Sequence, residues 1–540
     1  MKDISSTGSF IDFTLENFIY VDKTEYIPKL VKLKRVFISR PRRFGKSLTL
    51  DTIATLFETG VEPYFKGTWI YDKWTEPTYP VLRLNFLNFD KNSIEKFNNK
   101  LNSKITEFAE LNHVTTYKEK EEAEDSIDHL LEQLRLENRQ IVILIDEYDC
   151  QMTANINNET LYKQFQEKIK SFYANIKDKF AIKFLGITGV TRLKDVAIFS
   201  VGSDINDITN DSAYSQMIGF TRDEIKKYYI DYLKLAASYE NNCTVDNVTE
   251  AQIESLLDRL AKNYDGYCFD EFYKKKVFST WSVNKFFQSV VSNKFVYFGE
   301  YWYDNGGLPS ILVNYLKTHE LNIFEYLDKD KFLKVSSDDF KNPTALTTIN
   351  QNVLMCQTGY LTLRSDLNKT STVALGIPNG EIYKALNRLL ANNIFKGNTD
   401  ITDDYGRSLL EVGTVDDIIN LFNSALNSVS YDNYPIVSES SVQNMLKLYL
   451  LGAHQKVLSE VHEAKGRADL VVNTDNRRIV FEFKYAKNET EAKSKLLDAV
   501  EQIKTRDYGN IVPNKTELLR IAAVFNADPK VRAFTEFQLV

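Results

Sequence analysis

The sequence predicts an α/β protein in which two α/β parts flank a mainly helical stretch, and three observations predict it. First, short apolar runs at 35–39, 80–87, 141–146 and 182–188 alternate with helical or charged segments, the pattern of a parallel sheet with crossover helices. Second, most segments from about 222 to 430 have helical spacing, as in TRDEIKKYYIDYLKLAASY and AQIESLLDRLAKNY. Third, from about 435 the order becomes helix, strand, strand, helix. The expected division is 1–221, 222–430 and 431–540.

Each element has its own signal. The stretch 91–138 is charged and helix-like, apart from HVTTY near its middle. GNTDITDDYGRS (397–408) reads as a surface loop. In the last part ESSVQNMLKLYLLGAH is a helix, and ADLVV and RRIVFEFKYA are strands joined by the turn-rich NTDN. EAKSKLLDAVEQI closes the pattern as a helix with Leu496, Leu497, Val500 and Ile503 on one face.

Composition narrows the function classes. A chain of 540 residues exceeds what one core supports, so two to four domains are expected. With 43% hydrophobic and 26% charged residues it is an ordinary globular composition. The net charge of −7 argues against a general nucleic-acid coat and leaves room for a local basic groove. No run approaches the roughly 18 apolar residues of a membrane span, and MKDISSTGSFIDF has no basic-then-apolar signal region. Cys150, Cys243, Cys268 and Cys356 are far apart and form no CxxC pair, which points to a reducing, cytoplasmic setting.

RVFISRPRRFGKSLTL (35–50) is an apolar strand, a basic loop and a helix. Gly45-Lys46-Ser47 closes it as a phosphate-binding loop closes: backbone N–H groups face a phosphate, a lysine reaches the β- and γ-phosphates, and a serine holds Mg²⁺. The departure is Arg40, where the full motif has glycine. IVILIDEYD (141–149) is a second apolar strand, ending in Asp146-Glu147. An acid at the carboxyl end of a parallel strand sits where such sheets bind ligands. Asp146 is the candidate Mg²⁺ ligand and Glu147 the candidate catalytic acid that orients and deprotonates the attacking water. IKFLGITGVTRL (182–193) places Thr188 at a strand end, able to bond water or phosphate, and Arg192 beyond it as a charge sensor. A plain strand end and a solvated loop are the alternative readings of these two. Seven basic and no acidic residues between 31 and 46 also allow a nucleic-acid patch.

FIYVDKTEYI, FISRPRRFGKSLTL, LIDEYD and ITGVTR together resemble the bacterial AAA-ATPase-like family, over roughly residues 4–220 and onward through NYDGYCF and VFSTWSVNKFF. The resemblance implies a P-loop ATPase domain with a parallel sheet in which Arg40 is a family feature. It implies ATP and Mg²⁺ as cofactors, with Gly45, Lys46 and Ser47 in the phosphate-loop roles and Asp146 and Glu147 in the metal and catalytic-acid roles; Ser47 and Asp146 are the expected metal ligands, and Arg40, Arg42, Arg43, Phe44, Leu48, Thr188 and Arg192 are further candidates for the nucleotide site. VDKT (21–24) is placed near the base or, equally, as a helix cap. Many ATPases of this class form homo-oligomeric rings, and Arg42, Arg43 and Arg192 are left open between action in cis and in trans.

SEVHEAKGRADLVVNTDNRRIVFEFKYA (459–486) holds Asp469 and then Glu482-Phe483-Lys484. Strand alternation puts Glu482 and Lys484 on one face, and Phe481, Phe483 and Tyr485 on the other. Two carboxylates and the Phe483 carbonyl are hard oxygen ligands suited to Mg²⁺, which turns bound water into a nucleophile for a phosphodiester. Lys484 would position that water or neutralise charge. An exposed hairpin with ordinary charges is the bland alternative. SEVHEAKGRADLVV, FEFKYA and AVEQIKTRDYGN resemble the PD-(D/E)XK nuclease superfamily over about 435–530, a restriction-endonuclease-like α/β domain. That resemblance assigns Asp469, Glu482 and Lys484 to the core motif, Glu460 to the preceding acid and further metal ligand, and Gln502 with Tyr508 to the following helix motif. Ala468 stands where the family usually has proline, and Glu439 is a weaker candidate ligand. The expectation is an ATPase coupled to a Mg²⁺-dependent nuclease acting on nucleic acid, with DNA favoured and no membrane partner. The alternative is a nucleotide-dependent switch whose last domain binds nucleic acid without cutting it.

Overall fold

The computed structural model describes all residues except 177–178, 194–204, 303–309, 317–318, 320–322, 344, 396–404, 454, 464–465 and 509–516. Among the described residues thirteen strands follow in chain order. β1 is Arg35–Ser39, β2 Val81–Asn85, β3 Ile141–Asp146, β4 Ile182–Gly189 and β5 Asn206–Asp207. β6 is Leu333–Ser336, β7 Thr362–Leu363 and β8 Thr372–Gly376. β9 is Lys456–Glu463, β10 Gly466–Asn473, β11 Arg477–Ala486, β12 Glu517–Asn526 and β13 Ala533–Leu539. The chain forms two compact units, residues 1–319 with 332–382, and residues 320–331 with 383–540. The helices of the stretch 222–430 divide between them.

In the first unit the sheet order is β2-β3-β4-β1-β5, with every pairing parallel. The apolar runs form it because both faces are covered: β3 is buried at all six positions and β4 at seven of eight. β4 lies between β1 and β3. Ser39 therefore pairs with Gly189 at one edge, where β3 also ends in Asp146, paired with Asn85. The flanking helices keep one apolar stripe each. Ile94–Leu111 buries Phe97, Leu101, Ile105 and Phe108, and Ala123–Leu136 buries Ile127, Leu130, Leu131 and Leu134. The helices Arg222–Tyr228 and Glu250–Tyr264 start at the capping boxes Thr221/Glu224 and Thr249/Gln252. A small antiparallel sheet, β6-β8-β7, interrupts the helical stretch; its strands of two to five residues are too short to register against helical periodicity.

In the second unit the sheet order is β13-β12-β11-β10-β9, antiparallel except for the parallel β11–β12 pair. One face packs Val480 and Ala522 against Ala499 and Ile503 of the helix Glu489–Arg506. The other stacks Phe481 on Phe483 at 5.5 Å and meets Phe422 of the helix Val415–Asn427 at 5.3 Å. The sequence reading missed β9, β12 and β13, and it extended the 397–408 loop over residues that begin the helix Tyr405–Val412. Residues 397–404 of that loop lie outside the described residues. No described helix is long and apolar enough to cross a membrane.

Candidate functional sites

The phosphate loop turns on two residues in the left-handed region, Arg43 at φ 69° and Gly45 at φ 104°, and leads straight into the helix Lys46–Thr59. The helix start aims free N–H groups and the positive end of the dipole at whatever sits above the loop. Buried Lys46 donates Nζ to the carbonyls of Arg40 (3.1 Å) and Pro41 (3.3 Å), and lies 3.6 Å from Glu147. Exposed Ser47 donates its hydroxyl to Asp146 Oδ2 at 2.6 Å. Thr188, at the end of β4, donates to Asp146 Oδ1. The inserted position of β4 thus brings Ser47, Asp146, Glu147 and Thr188 together from three strand ends. Glu147 sits at φ 53°; burial raises its pKa, and Asp149 and Asp146 reinforce this while Lys46 and Arg42 oppose it.

The four remaining loop residues separate. Arg42 is half-buried and makes no hydrogen bond or ion pair with another described residue. Arg43 donates Nη1 to the carbonyls of Tyr301 (2.7 Å) and Trp302 (2.9 Å), and its guanidinium lies over the Trp281 ring at 4.7 Å. Its own carbonyl accepts from Trp281 N and Thr280 Oγ1. Phe44 is buried edge-on to Tyr267 and Phe269 at 4.7 and 5.5 Å. Arg40 is 1% exposed, with Nη1 on the carbonyls of Ser39 and Thr209 and its guanidinium over the Phe269 ring at 4.2 Å. Arg40 and Phe44, expected at the nucleotide, thus enter the packing around the loop. Arg192 is paired with Asp207 and bracketed by Gln357, which bonds its N–H and carbonyl.

Beside the loop lies a cavity of about 170 Å³, lined by Tyr20, Tyr26, Leu48, Met217, Phe220 and Trp281 and bordered by Arg43 and Gly45. Val21, Lys23 and Thr24 of the VDKT segment also line it. Asp22 instead fixes the backbone, accepting from Thr24 N at 2.9 Å and from Trp69 N at 2.6 Å. The sequence reading missed Asp149. Buried in the same turn as Glu147, it accepts from Val190 N, Thr191 N and Thr191 Oγ1 at 3.3, 2.6 and 2.6 Å. The third acid of LIDEYD was its available signal.

In the second unit, Asp469 Oδ2 accepts the backbone N–H of Phe483 at 2.8 Å, which ties β10 to β11 beside Glu482. Lys484 Nζ lies 2.9 Å from Glu482 Oε1 and 3.4 Å from Glu439 Oε1. Glu482 is fully buried, and its Oε2 has no partner among the described residues. Burial, aided by Asp469 and opposed by Lys484, pushes its pKa up to about 7. Burial lowers the Lys484 pKa, but the surrounding carboxylates more than offset this, so the group stays charged. Gln502 Nε2 and Arg506 Nη1 donate to the buried Tyr508 hydroxyl at 3.3 and 3.0 Å. Gln443, absent from the sequence expectation, donates to the Asp469 carbonyl. Glu460 lies on β9, and its side chain is outside those described. Among the described residues no group of three histidines, cysteines or acids could hold a metal ion. The orphaned, buried Glu482 oxygen beside a second carboxylate nevertheless suits a divalent cation.

These two sites define a chain with a nucleotide-hydrolase-like module and a nuclease-like module. Residues 5–199 match the family model described as Predicted AAA-ATPase, and residues 437–535 match that of the PD-(D/E)XK nuclease superfamily. The chain carries an AAA-ATPase-like domain at its N-terminal end and a PD-(D/E)XK nuclease superfamily domain at its C-terminal end. It is 25% identical over 531 residues to an uncharacterized protein in the vnfD 5′ region of Azotobacter chroococcum mcd 1, covering 95% of this chain and 94% of that one. The crystal structure of Cdc6p from Pyrobaculum aerophilum covers 68% of this chain and 93% of its own, at 11% identity and a TM-score of 0.22, a likeness too slight to bear on the fold.

Proposed function

We propose that the chain is an ATPase coupled to a Mg²⁺-dependent nuclease. The observation that carries the first half is the set of bonds on Asp146, whose two oxygens take Ser47 and Thr188 while Lys46 lies 3.6 Å from the neighbouring Glu147. The ATP phosphates lie over the N-terminus of Lys46–Thr59, with Lys46 turned from the Arg40 and Pro41 carbonyls to the β- and γ-oxygens. The base occupies the apolar cavity against Tyr20, Leu48 and Trp281. Ser47 and Asp146 would hold Mg²⁺, which supplies charge neutralisation on the phosphates. Glu147 takes the proton of the attacking water, a role its raised pKa suits, and Thr188 orients that water.

In the second unit Asp469 and Glu482 would hold the divalent cation, which supplies an acidified water. Lys484, 2.9 Å from Glu482, positions the nucleophile and offsets charge on the phosphodiester. The substrate is nucleic acid, with DNA favoured, and the pairing of modules suits defence against foreign DNA or processing of mobile DNA inside the cell. Association of copies is part of this reading.

The test is cleavage of plasmid DNA with Mg²⁺, comparing wild type with a Glu482→Ala, Lys484→Ala double variant, beside ATP turnover in Lys46→Ala. Metal-dependent cutting that the double variant loses, and turnover that Lys46→Ala loses, are expected. A second reading, nucleic-acid binding without cleavage, draws on the spacing of Asp469, Glu482 and Glu439, which among the described residues do not form a group of three that could hold a metal ion. Intact ATP hydrolysis with no cutting under any nucleotide condition would select it.

A further inference from the structure

Arg40 enters the packing around the loop without a role at the nucleotide, and it borders a second cavity. A cavity of about 40 Å³ is lined by Arg40, Arg192, Thr209, Cys268, Cys356 and Gln357, among others. Arg40 is 1% exposed and spends only Nη1, on two backbone carbonyls; its Nε and Nη2 have no partner among the described residues. A buried guanidinium with two unmet N–H groups is costly unless something accepts from them.

The charge tally around the cavity is uneven. Arg40 and Arg192 each contribute one positive charge, and Asp207, which pairs with Arg192 and accepts from Thr209 N, contributes one negative charge. The other lining residues carry no charge. Burial pushes the Cys268 and Cys356 thiols up to about 11 and about 12, so neither supplies a thiolate near neutrality. One positive charge is left on the lining itself, with Asp270, Lys276 and Arg364 acting on Cys268 from outside it, and burial pulls the Arg40 pKa down to about 9. A cavity needs roughly 10–15 Å³ for one water, so this one has room for a single small ion with a water or two.

We propose that this cavity is a binding site for one monovalent inorganic anion of chloride size, held by the free N–H groups of Arg40. A monovalent ion balances the residual charge, whereas a divalent oxyanion would overcompensate it in a smaller space than it needs. The site adjoins the phosphate loop because Lys46 is tied to the Arg40 carbonyl at 3.1 Å. The bound anion therefore braces the residue that takes the place of the loop's first glycine.

Thermal unfolding of the full chain in potassium chloride and in potassium glutamate at equal ionic strength tests this without any assay of activity. Wild type is expected to show a saturable rise of roughly 5 °C with chloride, and Arg40→Met no such rise. Since Arg40→Met could fail to fold, the second measurement is anomalous diffraction from wild-type crystals soaked in bromide. A bromide peak within contact distance of Arg40 supports the assignment. Ordered waters alone in the cavity, or equal melting in the two salts, overturns it.

Discussion

Glu381, at the start of the helix Gly380–Ile394, gives the sharpest thermodynamic prediction. It is 2% exposed, its Oε1 accepts the Trp302 N–H at 2.8 Å, and its Oε2 lies 2.7 Å from Ser282 Oγ. Burial is the main reason that its pKa rises from 4.5 to about 8. The folded state therefore holds a proton that the unfolded state releases, and stability falls as pH rises between these two values. The loss is about 1.4 kcal/mol per pH unit, or about 5 kcal/mol over the full window. Glu381→Gln keeps the shape of the acid and an acceptor for the Trp302 N–H, and cannot ionise. Urea unfolding of the wild type and this variant, followed by tryptophan fluorescence at pH 5, 7 and 9, isolates the term by difference. The two are expected to be close at pH 5, with the variant the more stable by several kcal/mol at pH 9. A difference that is flat across this range, or that grows in the wild type's favour, would falsify the assignment of a neutral buried acid.

Three further outcomes follow from geometry. Asp149→Ala leaves the donors of Val190 and Thr191 unmet in the core; a loss of roughly 2–5 kcal/mol in denaturant midpoint analysis is expected, together with reduced ATP turnover. Because Glu482 must be ionised to take a metal and titrates at about 7, Mg²⁺ affinity measured calorimetrically is expected to fall about tenfold per pH unit below that value and to level off above it. Affinity independent of pH from 5.5 to 8 would remove Glu482 from the ligand set. Gly266 sits at φ +97° with the Pro378 carbonyl oxygen 2.2 Å from where a Cβ would be. Gly266→Ala is expected to cost at least about 1–3 kcal/mol and to lower the melting temperature of the first unit.

What was legible in the sequence was local. The runs ending in Ser39, Asp146 and Thr188 are continuous apolar strands, so their polar ends stood out, and the alternation in FEFKYA placed Glu482 and Lys484 together. What escaped depends on distant partners. Arg40 looks like a surface charge within RPRR, and its burial is decided by Thr209 and Phe269, residues far along the chain. The apolar cavity gathers Tyr20, Met217 and Trp281, which no motif links. β9 went unseen because KVLSEVHE mixes apolar and charged residues without a clean two-residue period, and β6 to β8 because they are short.

The grip of Arg43 and Phe44 on Trp281, Tyr301, Trp302 and Tyr267 bears on the order in which the chain is made. Residues 5–199 hold the strands and acids of the first site, yet the supports of its loop are translated 60 to 100 residues later, and Glu381, which fixes Trp302, later still. A nascent chain that has released only its first 200 residues has the motif without the groups that hold it. The supported form of the loop thus becomes available late in synthesis, when little more than the residues of the second unit remains to be added.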